Sequence, residues 1–224
     1  MKIALIGDSY CADVDQSSWP WFVAKEYNAE IIAKGIAGRH LFHAYEVLLD
    51  VVNEADYIIL CISEPYRLPN KYGMHITPLH YGTDYEHLKG KLETFHQLYY
   101  NDFISFEWHE VAQKGLLMQI DELMLQKKKK CIWLPCFEKS MQKYVPKSGP
   151  IGNEPLAVSL WANDPTALPD DGIDPRKNHM NGRNNRNMAK LIIDIIRNGN
   201  FKPREIDMKD YFEGLEGEKR NGYT

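Results

Sequence analysis

The sequence predicts an α/β protein, a mostly parallel sheet covered by helices on both faces. Short continuous apolar runs (Ile3–Ile6, Ile31–Ala33, Ile58–Ile62, Cys131–Leu134) recur along the chain, the pattern of strands buried on both faces. Segments with apolar residues at three-and-four spacing lie between them, as crossover helices do. The first three runs each stop in a glycine-rich or polar cluster. The rim beyond the carboxyl ends of such strands is where open α/β sheets bind ligands.

The first strand, Lys2–Ile6, is ended by Gly7, and Asp8-Ser9-Tyr10 follow. Ser17 or Ser18 ahead of Trp19-Pro20-Trp21-Phe22-Val23 marks a helix start, with proline where the first turn tolerates a missing N–H. Ala29–Lys34 is the second strand, stopped by Gly35-Ile36-Ala37-Gly38. A helix over about 40–53 carries Leu41, Ala44, Tyr45, Leu48 and Val52 on one face. Asp56–Ile62 is the third strand and runs into Ser63-Glu64-Pro65-Tyr66-Arg67.

Leu68–Tyr85 is rich in Pro, Gly, His and Tyr and reads as a long loop near the site, of the kind used as lids or binding loops. Helices are predicted over about 85–99 and 105–126. Lys127–Lys130 then reads as a solvated helix end, where cations suit the dipole. Cys131–Phe137 is the fourth strand, and Glu138–Pro169 reads as irregular. The last helix, about 181–198, has Met188, Leu191, Ile192 and Ile195 on its buried face. One domain over 1–200 is expected, with 201–224 a polar tail, partly disordered.

Size and composition narrow the function classes. The 224 residues suffice for one substantial core, and 44% hydrophobic with 26% charged residues is ordinary for a globular chain. A net charge of -4 argues against a nucleic-acid partner. The four cysteines have no zinc-like pairing, and Cys61 and Cys131 fall inside predicted strands as buried thiols, which suits a reducing compartment. Met1-Lys2 leads straight into an apolar run without a leader pattern, and no run approaches the roughly 20 residues of a membrane span. A cytoplasmic protein without a membrane partner is the expectation.

The polar clusters hold the parts of a nucleophilic site. A serine hydroxyl needs a histidine to take its proton, a carboxylate to orient the imidazole and N–H donors for the oxyanion. Ser9 follows the first strand, Gly38 closes the second cluster, and His179 precedes the last helix with Asp174, Asp171 and Asp170 upstream. A second reading of Asp8-Ser9 is a cap for the next helix, and His179 could likewise be a packing histidine. Arg67 beside Tyr66 suits an anionic or sugar ligand. The pairs His40/His43 and His75/His80 have spacings a metal could use but lack carboxylate or cysteine partners, so no metal is expected. Trp19, Trp21 and Tyr66 read either as a carbohydrate-lining set or as core.

Over about residues 1–198 the chain resembles the SGNH (GDSL-type) hydrolases, a serine esterase superfamily with a flavodoxin-like three-layer α/β/α fold. Gly7-Asp8-Ser9 matches that family's first block, Gly35–Gly38 its second and His179 its last. The resemblance implies Ser9 as nucleophile, His179 as general base and then acid, and Asp174 as its orienting carboxylate. It also implies that the N–H groups of Ser9 and Gly38 form the oxyanion hole, and that no cofactor is used. The substrate would be an O-acetyl carbohydrate or another small acyl ester. The sequence leaves a homo-oligomer open.

Two departures stand out. The third block normally supplies an asparagine donor, and this chain has Ser63-Glu64-Pro65-Tyr66-Arg67 instead. Ser63, Arg67 or a backbone amide must substitute, with Asp8 alongside, because an ionised Glu64 cannot donate. The position three before the histidine is Arg176, so either Asp174 reaches it from five residues upstream or a Ser-His dyad operates. A catalytically impaired binding protein on the same fold is the alternative. A nucleotide-binding domain lacks its glycine fingerprints.

Overall fold

The computed structural model describes residues 1–70, 75–77, 81–82, 86–137, 144–156, 180 and 182–208. Six strands make one all-parallel sheet: β1 (Lys2–Ile6), β2 (Glu30–Ala33), β3 (Tyr57–Ile62), β6 (Lys130–Pro135), β7 (Pro150–Gly152) and β8 (Arg204–Ile206). A two-stranded antiparallel hairpin, β4 (His75–Ile76) and β5 (Tyr81–Gly82), lies in the excursion after β3. The helices are α1 (Trp19–Tyr27), α2 (Leu41–Val51), α3 (Lys89–Leu98), α4 (Phe106–Gln126) and α5 (Gly182–Asn198).

The apolar runs bury both faces of the sheet, as their lack of alternation requires. Ile3 and Leu5 of β1, Ile59 and Cys61 of β3, and Ile132 and Leu134 of β6 join one core with Trp19 and Val23 of α1 and Leu191, Ile192 and Ile195 of α5. The residues between them, Ala4, Ile6, Ile58, Leu60 and Trp133, pack on the other face against Leu41 and Leu48 of α2 and Leu117, Ile120 and Met124 of α4. The result is a three-layer α/β/α sandwich. No helix among the described residues is long and apolar enough to cross a membrane.

Helix starts follow local chemistry with one long-range substitution. Ser105 caps α4, its Oγ accepting from the Trp108 N–H at 3.2 Å. Ser18 takes the N-cap position of α1, but its hydroxyl donates to the Asp15 carbonyl at 2.9 Å. The orphan Trp19 N–H is instead accepted at 2.9 Å by Asn185 Oδ1, from α5. Asn28, in a left-handed conformation at φ 46°, closes α1.

Three expectations are corrected. The interval read as irregular, Glu138–Pro169, contains β7, and the segment read as a tail contains β8. Arg204–Ile206 pairs in parallel with Pro150–Gly152, and Ile206 and Met208 are buried, so the domain continues past residue 200. Three-residue strands bracketed by Pro, Gly and Arg carry no apolar run, and only a neighbouring strand makes them strands. The excursion Leu68–Tyr85, read as a loop, contains the hairpin, and Ile76 packs with Leu92 and Tyr100 in a small separate cluster. Residues 209–224 lie outside the described residues.

Candidate active site

The strand order β2-β1-β3-β6-β7-β8 reverses direction at β1: the chain steps to one side for β2 and to the other for β3. Loops leaving β1 and β3 therefore diverge, and the crevice they leave beyond the strands' carboxyl ends is the ligand position of open α/β sheets. Gly7-Asp8-Ser9 leaves β1 there, and Ser63–Arg67 leaves β3.

Asp8 accepts the Tyr10 N–H at 3.2 Å through Oδ1 and so caps the short 3-10 turn Ser9–Cys11. Ser9 opens that turn and is half-buried. The capping reading thus holds for Asp8, and it leaves Ser9 at the rim. The loop after β2 is fastened to this turn: the Gly35 N–H donates to the Cys11 carbonyl at 3.0 Å, and the Ile36 N–H to the Gly7 carbonyl at 3.1 Å. A side chain at Gly35 would strike the Asp8 carbonyl at 2.4 Å, so the close approach demands glycine. Gly38, partly exposed, turns the loop at φ 76°.

Beneath the rim lies an ionic lock. Arg67 Nη1 is 3.1 Å from Asp8 Oδ2 and also donates to the Arg39 carbonyl at 3.1 Å, while Arg67 Nε meets Glu64 Oε1 at 3.2 Å. The approach to Asp8 is a charge contact rather than an aligned hydrogen bond, since Oδ2 has no hydrogen-bond partner among the described residues. The Phe137 ring covers the guanidinium at 4.8 Å and meets Tyr10 edge-on at 5.9 Å. Burial pushes the Asp8 carboxyl up, and Arg67 and the Tyr10 N–H pull the other way.

Asp8 and Ser63 are thus buried below the rim, and Arg67 is only 7% exposed. Ser63 Oγ has no partner among the described residues, and the Ser63 carbonyl accepts from Gln113 Nε2 of α4 at 3.1 Å. These three hold loops together; of the predicted residues that are described, Ser9 and Gly38 keep contact with solvent. His179 and Asp174 lie outside the described residues. The next described residue, Met180, is buried, and its carbonyl accepts from Asn185 Nδ2 at 3.1 Å.

The sequence reading missed His40 as part of this rim. His40 is the N-cap of α2, with Nδ1 accepting the His43 N–H at 3.0 Å, which leaves the ring proton on Nε2. Burial, with help from His43, Arg39 and Arg67, lowers its pKa to about 4. Its position one residue after Arg39, directly before an apolar helical stripe, was the available signal. No group of three or more His, Cys, Asp or Glu able to hold a metal occurs among the described residues. Trp19 belongs to the core, its Nε1 donating to the Tyr10 carbonyl at 2.7 Å. Tyr66 donates to Glu110 Oε1 at 2.6 Å.

All four cysteines are free and buried. Desolvation pushes the Cys11 and Cys61 thiols far up and Cys136 up to about 12, so they act as small apolar side chains under Asp8.

Fold and rim define the class: a three-layer α/β protein whose sheet has its topological switch between β1 and β3. No family model, no curated protein and no solved structure matches the chain.

Proposed function

We propose that this protein is a serine hydrolase of the SGNH type that cleaves an ester, an O-acetyl group on a carbohydrate or another small acyl ester. Ser9 Oγ attacks the carbonyl carbon as His179 takes its proton, and the N–H groups of Ser9 and Gly38 hold the oxyanion. His179 returns the proton to the departing alcohol, leaving an acyl-Ser9. A water, deprotonated by His179, then releases the acid and restores the hydroxyl. Asp174 orients the imidazole.

The observation that carries this reading is the union of the Ser9 turn with the Gly35–Gly38 loop through two backbone hydrogen bonds, at the switch point of the sheet. A nucleophile and an oxyanion donor must share one rigid frame, since small displacements lose most of the benefit. Labelling with a fluorophosphonate probe tests it: wild type is expected to label, and Ser9→Ala and His179→Ala are expected to abolish labelling. A folded wild type that does not label overturns the proposal.

One set of observations favours a second reading, a binding protein on the same fold with impaired catalysis. The loop after β3 has no asparagine, Ser63 Oγ is buried, and Arg67 is engaged by Asp8, Glu64 and Arg39. Loss of one oxyanion donor costs about 3 kcal/mol of transition-state stabilisation. Saturable binding of acetylated sugars without turnover would support this reading over the first.

A further inference from the structure

Helix α4 has two apolar faces, and the fold uses one. Leu117, Ile120 and Met124 turn inward. On the opposite side Trp108, Val111, Met118 and Leu125 are 65%, 70%, 54% and 41% exposed. Positions 108, 111, 115, 118, 122 and 125 alternate steps of three and four, the spacing of a coiled-coil seam. Phe106 lies off this seam, its ring edge-on to Tyr66 at 4.8 Å. At centre stands Gly115, a residue that costs about 1 kcal/mol in a helix interior relative to alanine, and a Cβ there would meet nothing within 4 Å. The protomer's own packing gives no reason for a glycine.

We infer that this face joins two copies of the chain, their α4 helices packed antiparallel about a two-fold axis near residues 116 and 117. In that register Trp108 faces Leu125 of the second copy, and Met118 enters the gap left by the second copy's Gly115. Close approach at a small residue thereby explains the glycine. Val111 faces Glu122, a polar seam position of the type that fixes register.

Charge selects the orientation. Glu107 lies in the first turn of α4, and exposed Lys127 and Lys128 follow its last turn. An antiparallel pair sets these unlike charges against each other at both ends, whereas a parallel pair sets like against like. The four apolar side chains of the seam expose on the order of 400–500 Å², about half of the roughly 800 Å² per side of a standard interface, so the charged residues flanking them must supply the rest. This inference stands apart from the hydrolase reading, because α4 does not carry the nucleophile.

Sedimentation velocity of the full chain across a concentration series is expected to show a reversible dimer. Val111→Glu combined with Met118→Glu is expected to weaken it by at least about 30-fold, with far-UV circular dichroism unchanged because both positions are exposed. All four native cysteines are buried, so an introduced one is the accessible thiol. Met118→Cys, next to the axis, is expected to form a disulfide-linked dimer on mild oxidation. Trp108→Cys is expected to do so only when combined with Leu125→Cys. A wild type that stays monomeric at the highest concentration overturns the interface. Self-linking of Trp108→Cys alone overturns the antiparallel register, and a dimer that survives the paired Glu substitutions overturns its placement on α4.

Discussion

The guanidinium of Arg67 meets the carboxylate of Asp8 at 3.1 Å directly beneath the turn that carries Ser9. Asp8 leaves β1 and Arg67 follows β3, so this one contact spans the switch point of the sheet. Arg39, from the loop after β2, joins through its carbonyl. Three loops that form the rim are thus tied to one buried cation.

Removing that cation leaves a buried carboxylate unpaired. Arg67→Met is expected to cost about 3–5 kcal/mol in denaturant unfolding. Without Arg67 the Asp8 carboxyl, already raised by burial, rises further. The folded state then holds the Asp8 proton more tightly than the unfolded chain, so the variant's stability falls as pH rises above the unfolded carboxylate value. Adding Asp8→Asn is expected to recover part of the loss. A pH-independent cost, or strict additivity of the two substitutions, would contradict the pairing.

The two glycines of the second loop serve different ends. Gly35→Ala drives a Cβ to within 2.4 Å of a backbone oxygen and 2.6 Å of Cys11 Sγ, and a destabilisation of about 2–3 kcal/mol is expected. Gly38→Ala meets the cost of its positive φ, about 1–2 kcal/mol. Comparing their unfolding midpoints checks the order. On the hydrolase reading, Gly38→Ala also lowers kcat more than it raises KM.

His40 gives the protein an acid-sensitive element. Its imidazole takes a proton near pH 6.5 when unfolded and near 4 when folded. Between these values the unfolded state binds the proton that the folded state refuses, so stability falls as pH drops from 6.5 towards 4. Asn is a strong N-cap and does not titrate, so His40→Asn is expected to flatten that decline while keeping α2. Some slope will remain from His43, whose pKa burial also lowers. Thermal unfolding of both proteins across this range is the measurement.

Asn185 joins α1, α5 and the chain at Met180 by accepting from the Trp19 N–H and donating to the Met180 carbonyl. Asn185→Asp keeps the acceptor and loses the donor; Asn185→Leu loses both and strands two buried backbone groups. A cost of about 1–3 kcal/mol is expected for the aspartate and a larger one for leucine. Equal costs would show that the bond from the Trp19 N–H contributes nothing.

How much of this was legible depended on how local its cause was. β1, β3 and β6 announce themselves because strands buried on both faces need continuous apolar runs, and α2 and α5 because one stripe of each must face the sheet. Gly7-Asp8-Ser9 was legible for the same reason, being a strand end and the turn that follows. β7 and β8 were not, since a three-residue strand is created by its neighbour's hydrogen bonds rather than by its own side chains. Asp121 shows the same limit on the opposite side of the sheet. In sequence it is an ordinary helix carboxylate, yet in the fold it is buried and accepts from Tyr144 Oη at 2.6 Å and from the Lys147 and Ser148 N–H groups at 2.8 Å each, docking the segment that leads into β7.

The amino-acid sequence by itself determined the α/β class, the main apolar strands and helices, and the rim position of Ser9, because periodicity and turn chemistry act over a few residues. Tertiary structure alone decided that Asp8 and Arg67 lock the rim from below, that α1 is capped from α5, and that the sheet gains two further strands. Those outcomes rest on desolvated charges and unmet backbone groups finding partners far along the chain, and no local pattern encodes which partner is within reach.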